Sequence, residues 1–447
     1  MSEGKDLTKG NLLNNMVKFC FPLLITNLLN SIYNIIDGIW IGRLIGNSGL
    51  SATTNCWPII LISYAFMGGI TTITSIIVSQ YFSSKDRNKI KEVITPLYII
   101  SLIIGIFTAI LLISTENFWL NLFNTPIEVI TDAKKYITIY LIGQVFNFIG
   151  ITIISAIRAI GNSKTPLIIL AITEVVNIIL DPIFIKLGFG IRGAAIATSL
   201  SMIFSLILSY LYIRNSELLK FNKKYIKFNK KFLKGFSILG IPIIIQQFFT
   251  IFTSILEVNI SNSLGIVGGS TYGIVCKFNE IVWVIGESIN TMMTVVVGQF
   301  IGKNEFDKIK DIMKNGITII AFPILLIVLF IIFYSEIYIR IFTNNNEVIT
   351  LSLYYMHIAG IGFSLIPLYQ LLYGFVLGIG NTKLTFFTSI LSTITEYVFV
   401  LTLNNITKNA FLSLGIGIIM WYIAEIMVYT IYYFSKRFNK ENLIREG

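Results

Sequence analysis

Within an otherwise apolar stretch, "NIILDPIFI" (residues 177–185), an asparagine and an aspartate stand four residues apart. At this spacing on a helix, Asn177 and Asp181 share one face. A second aspartate, Asp37, interrupts "LLNSIYNIIDGIWIG". A carboxylate at the centre of a membrane helix costs about 2.5–3.5 kcal/mol on insertion scales, so such groups usually face a cavity and carry function. Two carboxyl groups in one pocket can hold a proton between them, and with amide and hydroxyl oxygens nearby they can also coordinate a hard cation. Either event changes the charge of the pocket. Glu174, Glu257, Glu280, Glu287, Glu396 and Glu425, with Lys277 and His357, are the other ionisable residues in apolar surroundings.

The elements that must position these residues are membrane helices. The chain of 447 residues is 55% hydrophobic and only 13% charged, with a mean hydropathy of +0.78. A soluble protein of this length would need more charge to cover its surface. Runs such as "YIISLIIGIFTAILLI" and "ITIIAFPILLIVLFIIF" supply the roughly 20 apolar residues that a hydrocarbon core about 30 Å thick requires. Twelve spans are predicted, at 16–43, 51–82, 93–115, 133–157, 165–186, 193–213, 236–262, 270–301, 315–338, 350–377, 383–403 and 411–434. The polar start "MSEGKDLTKGNLL" lacks the short apolar core and small-residue cleavage site of a removed signal peptide.

An even number of spans puts both termini on one side, and the basic residues say which. Of 34 Lys and Arg, 26 lie in the two tails, at Lys18 in the mouth of span one, and in loops 83–92, 158–164, 214–235, 302–314 and 378–383, against seven in the alternate loops. The positive-inside rule then predicts cytoplasmic termini. This placement accounts for the net charge of +11 without a nucleic-acid partner. The basic stretch "RNSELLKFNKKYIKFNKKFLKG" after span six reads as a solvated cytoplasmic connector, with anionic lipid as a possible neighbour.

Orientation gives depth. Asp37 lies about 20 residues, and Asp181 about 16 residues, into outward-running spans, which at 1.5 Å per residue puts both in the outer half of the membrane. Span six returns inward, and Thr198 falls one and a half turns along it at similar depth. Asp37, Asn177, Asp181 and Thr198 are therefore expected to converge.

The two halves of the chain match. "VSQYFSSKDRNKIKEVI" (78–94) aligns without gaps on "VGQFIGKNEFDKIKDIM" (297–313), an offset of 219 residues. At that offset "IGNSK" falls on "IGNTK", Tyr136 on Tyr355, Gly143 on Gly362 and Asn177 on Glu396; near the start of each half the offset is 220, which pairs Pro22 with Pro242 and Asp37 with Glu257. Six spans per half give both halves the same orientation, a parallel repeat of the kind transporters use, with the substrate path between the halves. The predicted organisation is a first lobe (1–213), a basic linker (214–235) and a second lobe (236–447).

In the second half Lys277, Glu280 and Glu287 share a face of span eight, with Lys277 and Glu280 close enough to neutralise each other. Together with Glu257 and Glu396 they could bind a cationic substrate, bind a cation, or stabilise the bundle. His357, without metal partners, reads as structural rather than as a proton relay. Pro22 removes one backbone hydrogen bond from span one and gives it the means to kink. Cys20, Cys56 and Cys276 have neither metal-ligand spacing nor a disulfide framework. With one histidine, no CxxC or HExxH and no phosphate-cradling loop, neither an enzyme nor a nucleotide-driven pump is expected.

"LLNSIYNIIDGIWIGRLIG", "AIRAIGNSKTP", "NIILDPIFIKLGFGIRGAAIAT" and "VGQFIGKNEFDKIK" resemble the multidrug and toxic compound extrusion (MATE) family, most nearly its DNA-damage-inducible prokaryotic subgroup. The resemblance spans essentially the whole chain. It implies an all-α membrane fold of twelve helices in two pseudo-symmetric six-helix lobes forming a V. It also implies export of organic cations and other toxic compounds in exchange for H+ or Na+, without a cofactor. By resemblance, Asp37 is the first-helix acid of an N-lobe cation site, with Asn177, Asp181 and Thr198 as its other members, and Pro22 is where that helix bends when the aspartate is protonated. Glu257, Lys277 and Glu280 depart from the subgroup, since a C-lobe acidic site couples Na+ in other subgroups. "SILSTITEYVF" also lacks the arginine-bearing form common in span eleven. The expectation is a monomeric antiporter of the cytoplasmic membrane acting on small molecules. The alternative is a flippase for a lipid-linked saccharide or related amphiphile, against which the second-half acids speak.

Overall fold

The computed structural model describes residues 4–84, 86–122, 125–226 and 230–440. Among these residues there is no strand. Fourteen α-helices follow one another: α1 (Leu12–Leu44), α2 (Asn47–Ser83), α3 (Lys89–Ser114), α4 (Glu116–Leu122), α5 (Ile127–Ala159), α6 (Lys164–Phe184), α7 (Ile191–Ile213), α8 (Lys230–Asn262), α9 (Gly265–Gly302), α10 (Ile309–Phe333), α11 (Ser335–Phe342), α12 (Asn346–Ile379), α13 (Thr382–Thr407) and α14 (Ala410–Ser435). All but α4 and α11 are long and apolar enough to cross a membrane, which gives twelve spans among the described residues.

The repeat is visible in the element order. At an offset of 219, α5 begins on the start of α12 and α7 on the start of α14. The short α4 falls likewise on α11, so each half breaks its third span at the same place. For this reason the ninth span, expected to run to 338, ends at Phe333: Tyr334 leaves helical geometry before α11 begins.

The same helix crossing is built twice. A Cβ at Gly143 on α5 would stand 2.7 Å from the Cα of Ser199 on α7, and one at Gly362 on α12 would stand 2.9 Å from the Ile418 side chain and 3.4 Å from the Ile419 backbone nitrogen on α14. Only a residue without a side chain allows backbones to approach this closely, the usual way of packing helices in lipid.

The chain divides into two compact units. One comprises Met1–Leu7 with Phe21–Gly240, the other Thr8–Cys20 with Ile241–Gly447. The boundaries differ from those expected at 213 and 236, because the loop after α7 packs as part of the first unit. Leu218 and Leu219 are buried against α2, α3 and the end of α5. The Tyr98 hydroxyl donates to the Leu219 carbonyl (3.1 Å), and the Asn222 backbone N–H donates to Thr95 Oγ1 (3.1 Å). The start of this loop is therefore a docked strap and not a solvated connector; its residues 227–229 lie outside the described residues, as do 1–3 and 441–447 of the two tails. The other division falls inside α1, between Cys20 and Phe21, beside Pro22. The helix continues through Pro22, whose carbonyl accepts from Thr26 Oγ1 at 2.7 Å.

Candidate functional site: two carboxyl pairs

In the first unit, α6 and α7 are brought together at Gly193. A Cβ there would stand 2.7 Å from the Phe184 carbonyl carbon at the end of α6. This approach puts Thr198, one and a half turns further along α7, opposite Asn177 and Asp181. All three are buried, Asp181 completely. With its nitrogen turned to Asp181, the Asn177 amide donates to Asp181 Oδ2 at 2.7 Å and its oxygen accepts from the Thr198 backbone N–H at 3.1 Å. The surrounding donors and acceptors fix that orientation.

Asp37 completes the group from α1. Its carboxyl lies within hydrogen-bonding reach of the Asp181 carboxyl. One oxygen on each, Asp37 Oδ1 and Asp181 Oδ1, is buried without a hydrogen-bond donor. The four residues that depth and helix face pointed to are thus together. Two residues join them that sequence reasoning did not assign: Tyr33, whose hydroxyl hydrogen bonds with Thr198, and Tyr136, which lies close to both aspartates. Tyr33 is one helical turn from Asp37, the spacing by which it could have been found. Glu174 is half-buried nearby on α6, close enough to Asp37 to feel its charge.

Chemically, two carboxyl groups in contact with no donor between them repel if both are ionised. A proton on one of them supplies the missing hydrogen bond; a small cation would be met by both, with the Asn177 and Thr198 side chains beside it. No cationic side chain pairs with either aspartate among the described residues.

The second unit repeats the arrangement with a shift. Glu257 on α8, repeat partner of Asp37, lies within hydrogen-bonding reach of Glu396 on α13, repeat partner of Asn177. At the repeat position of Asp181 stands Val400, fully buried. The second acid therefore sits one turn earlier on its helix. Tyr272 from α9 donates to Glu257 Oε2 at 2.8 Å, and Tyr355, repeat partner of Tyr136, lies close to both glutamates. Lys277 and Glu280, expected in the same cluster, pair with each other at 2.9 Å on an exposed face of α9. His357 is also exposed.

Twelve spans in two halves that repeat one helix order, each with two acids in contact, define a multi-pass membrane transporter with an internal repeat. The MatE family model matches residues 22–183 and again 242–402, the same offset that relates the two halves. The chain belongs to the MatE family. It is 31% identical over 301 residues to the probable multidrug resistance protein YpnP of Bacillus subtilis (66% of this chain, 67% of the relative), and 26% identical over 351 residues to the probable multidrug resistance protein YoeA of the same organism (76% and 75%). A crystal structure of a mutant of the Vibrio cholerae MATE transporter VcmN has the same fold, with a TM-score of 0.88 at 19% identity over 96% of this chain and 98% of that one. The protein is a transporter and not an enzyme.

Proposed function

We propose that the protein is a secondary active multidrug antiporter, exporting amphipathic organic cations or other toxic compounds in exchange for H+ or Na+. The observation that carries this reading is the contact between Asp37 and Asp181, with a buried, undonated oxygen on each. A fixed pair of like groups held this way is poised to bind a cation, and unsatisfied buried acceptors are costly to leave so.

In this account a proton or Na+ entering from outside is held by Asp37 and Asp181. Asn177 orients Asp181 by donating to it, and Thr198 and Tyr33 hold the other side of the pocket. Neutralising the pair changes which state of the transporter is stable, and α1 responds at Pro22, where its ladder already lacks one bond. Export follows if substrate and ion prefer different states, since a ligand shifts an equilibrium only by its differential affinity. Glu257 and Glu396 form a second cation or substrate site, in which Tyr272 fixes Glu257. The protein then sits in the cytoplasmic membrane with both termini inside, an orientation that the positive-inside distribution supports.

Ethidium efflux from everted vesicles, with proton and sodium gradients imposed separately, tests the proposal. Efflux driven by one or both gradients is expected. Efflux indifferent to both would refute ion-driven antiport.

A further inference from the structure

Glu425 on α14 is completely buried and belongs to neither carboxyl pair. The repeat supplies its control. At an offset of 219 its partner is Leu206, which packs against the apolar core of the first unit. The fold can therefore fill this position with a hydrocarbon side chain, and the second half has an acid there instead.

The hydrogen bonds around Glu425 leave room for a proton on it. Ser392 Oγ on α13 has one proton and two acceptors in reach: Glu425 Oε1 at 2.8 Å and its own helix carbonyl, Ser389 O, at 3.1 Å. A hydroxyl donates once and accepts twice. With a proton on Glu425 both contacts are bonds at once, Glu425 donating to Ser392 Oγ and Ser392 donating to Ser389 O. In the first half Thr173, repeat partner of Ser392, donates to its own helix carbonyl, Leu170 O, at 2.8 Å. The other oxygen, Glu425 Oε2, is buried without a well-formed hydrogen bond, and the Tyr429 hydroxyl beside it also lacks one.

The groups that face Glu425 are Tyr369 and Tyr373 from α12, Ser392 and, one turn on, Glu396 from α13, and Tyr422 and Tyr429 from α14; Glu287 on α9 lies beyond the two α12 tyrosines. None is a cation, and a buried carboxylate without a counter-charge costs several kcal/mol.

We propose that Glu425 is a third proton-binding site, one that exchanges its proton during the working cycle of the second half. Both states can be satisfied. When the O–H bond on Glu425 breaks, Ser392 turns its proton from Ser389 O to Oε1 and Tyr429 donates to Oε2. The released proton goes to solvent or to the Glu396 carboxylate. Exchange during the working cycle, and Glu396 as acceptor, rest on the antiport reading; protonation of Glu425 stands by itself.

Infrared difference spectra of the full-length protein in lipid, recorded across a pH series, test it. One protonated-carboxyl band present at neutral pH and lost at alkaline pH is expected to disappear in Glu425→Gln and to persist in Asp37→Asn. Glu425→Leu, which installs the first half's own residue, must lose the same band and keeps the test decisive if the glutamine variant folds poorly. Acid bands unchanged in both Glu425 variants, or a Glu425 band that does not move over the pH series, would overturn the proposal. Antiport fails separately, through ion-independent efflux, with this band intact.

Discussion

The carboxyl groups of Asp37 on α1 and Asp181 on α6 meet inside the first unit with a buried oxygen on each that no donor reaches. If this pair binds the coupling ion, removing either charge removes the reason for it to bind. Asp37→Asn and Asp181→Asn should each lower ion-driven ethidium efflux by tenfold or more, since a hydrogen bond to a charged group is worth about 1.5–3 kcal/mol. Both variants should still insert, because an amide is cheaper than a carboxylate in the membrane. Vesicle efflux normalised to inserted protein checks this.

The Asn177 amide donates to Asp181 Oδ2. Asn177→Leu leaves that oxygen buried and bare, at a cost of about 1–3 kcal/mol. The expected outcome is a lowered thermal unfolding midpoint in detergent together with impaired efflux. Asn177→Asp should alter ion preference, since it puts a third acid against Asp181 in place of a donor.

Gly193→Ala should be destabilising out of proportion to its one methyl group. The added Cβ meets α6 backbone at 2.7 Å, and the overpacking costs about 1–3 kcal/mol. Gly273→Ala on α9 meets nothing within 4 Å, and should stabilise its helix by up to about 1 kcal/mol. Unfolding midpoints of the two variants in the same detergent give the comparison.

In the second unit Tyr272→Phe removes the 2.8 Å bond to Glu257 and Glu396→Gln removes one acid of the pair. If Glu257 and Glu396 form a second ion site, both variants should change the number of ions moved per substrate while leaving the Asp37-dependent step in place. Lys277→Ala, which breaks only an exposed pair, should change it little, as such pairs contribute about 0–1 kcal/mol. Ion-to-substrate ratios in proteoliposomes decide the matter.

The spans and the first carboxyl group were legible in the sequence because each rests on a strong, local signal. Apolar length marks a helix, orientation follows from lysine and arginine, and depth then brings Asp37 level with Asp181. Rotation about each helix axis was not legible, because the long helices are apolar on every face. For that reason Tyr33 and Tyr272, chemically at home anywhere on such helices, went unassigned, although Tyr33 stands one turn from Asp37. The same gap grouped Lys277 and Glu280 with Glu257 by span and depth, while the fold pairs them with each other. The loop after α7 looked solvated by its lysines, but its "ELL" carried the two leucines that dock it. Glu425 stood out only as an acid in an apolar run; its meaning needs Ser392, which lies 33 residues away in the chain.

The most direct test of the central claim is cation movement itself. Substrate added to one side of wild-type proteoliposomes should drive H+ or Na+ across the membrane, read with a pH- or sodium-sensitive dye. Asp37→Asn, inserted to the same level, should move neither. Cation movement in that variant at the wild-type rate would contradict the assignment of the Asp37–Asp181 pair as the ion-binding site.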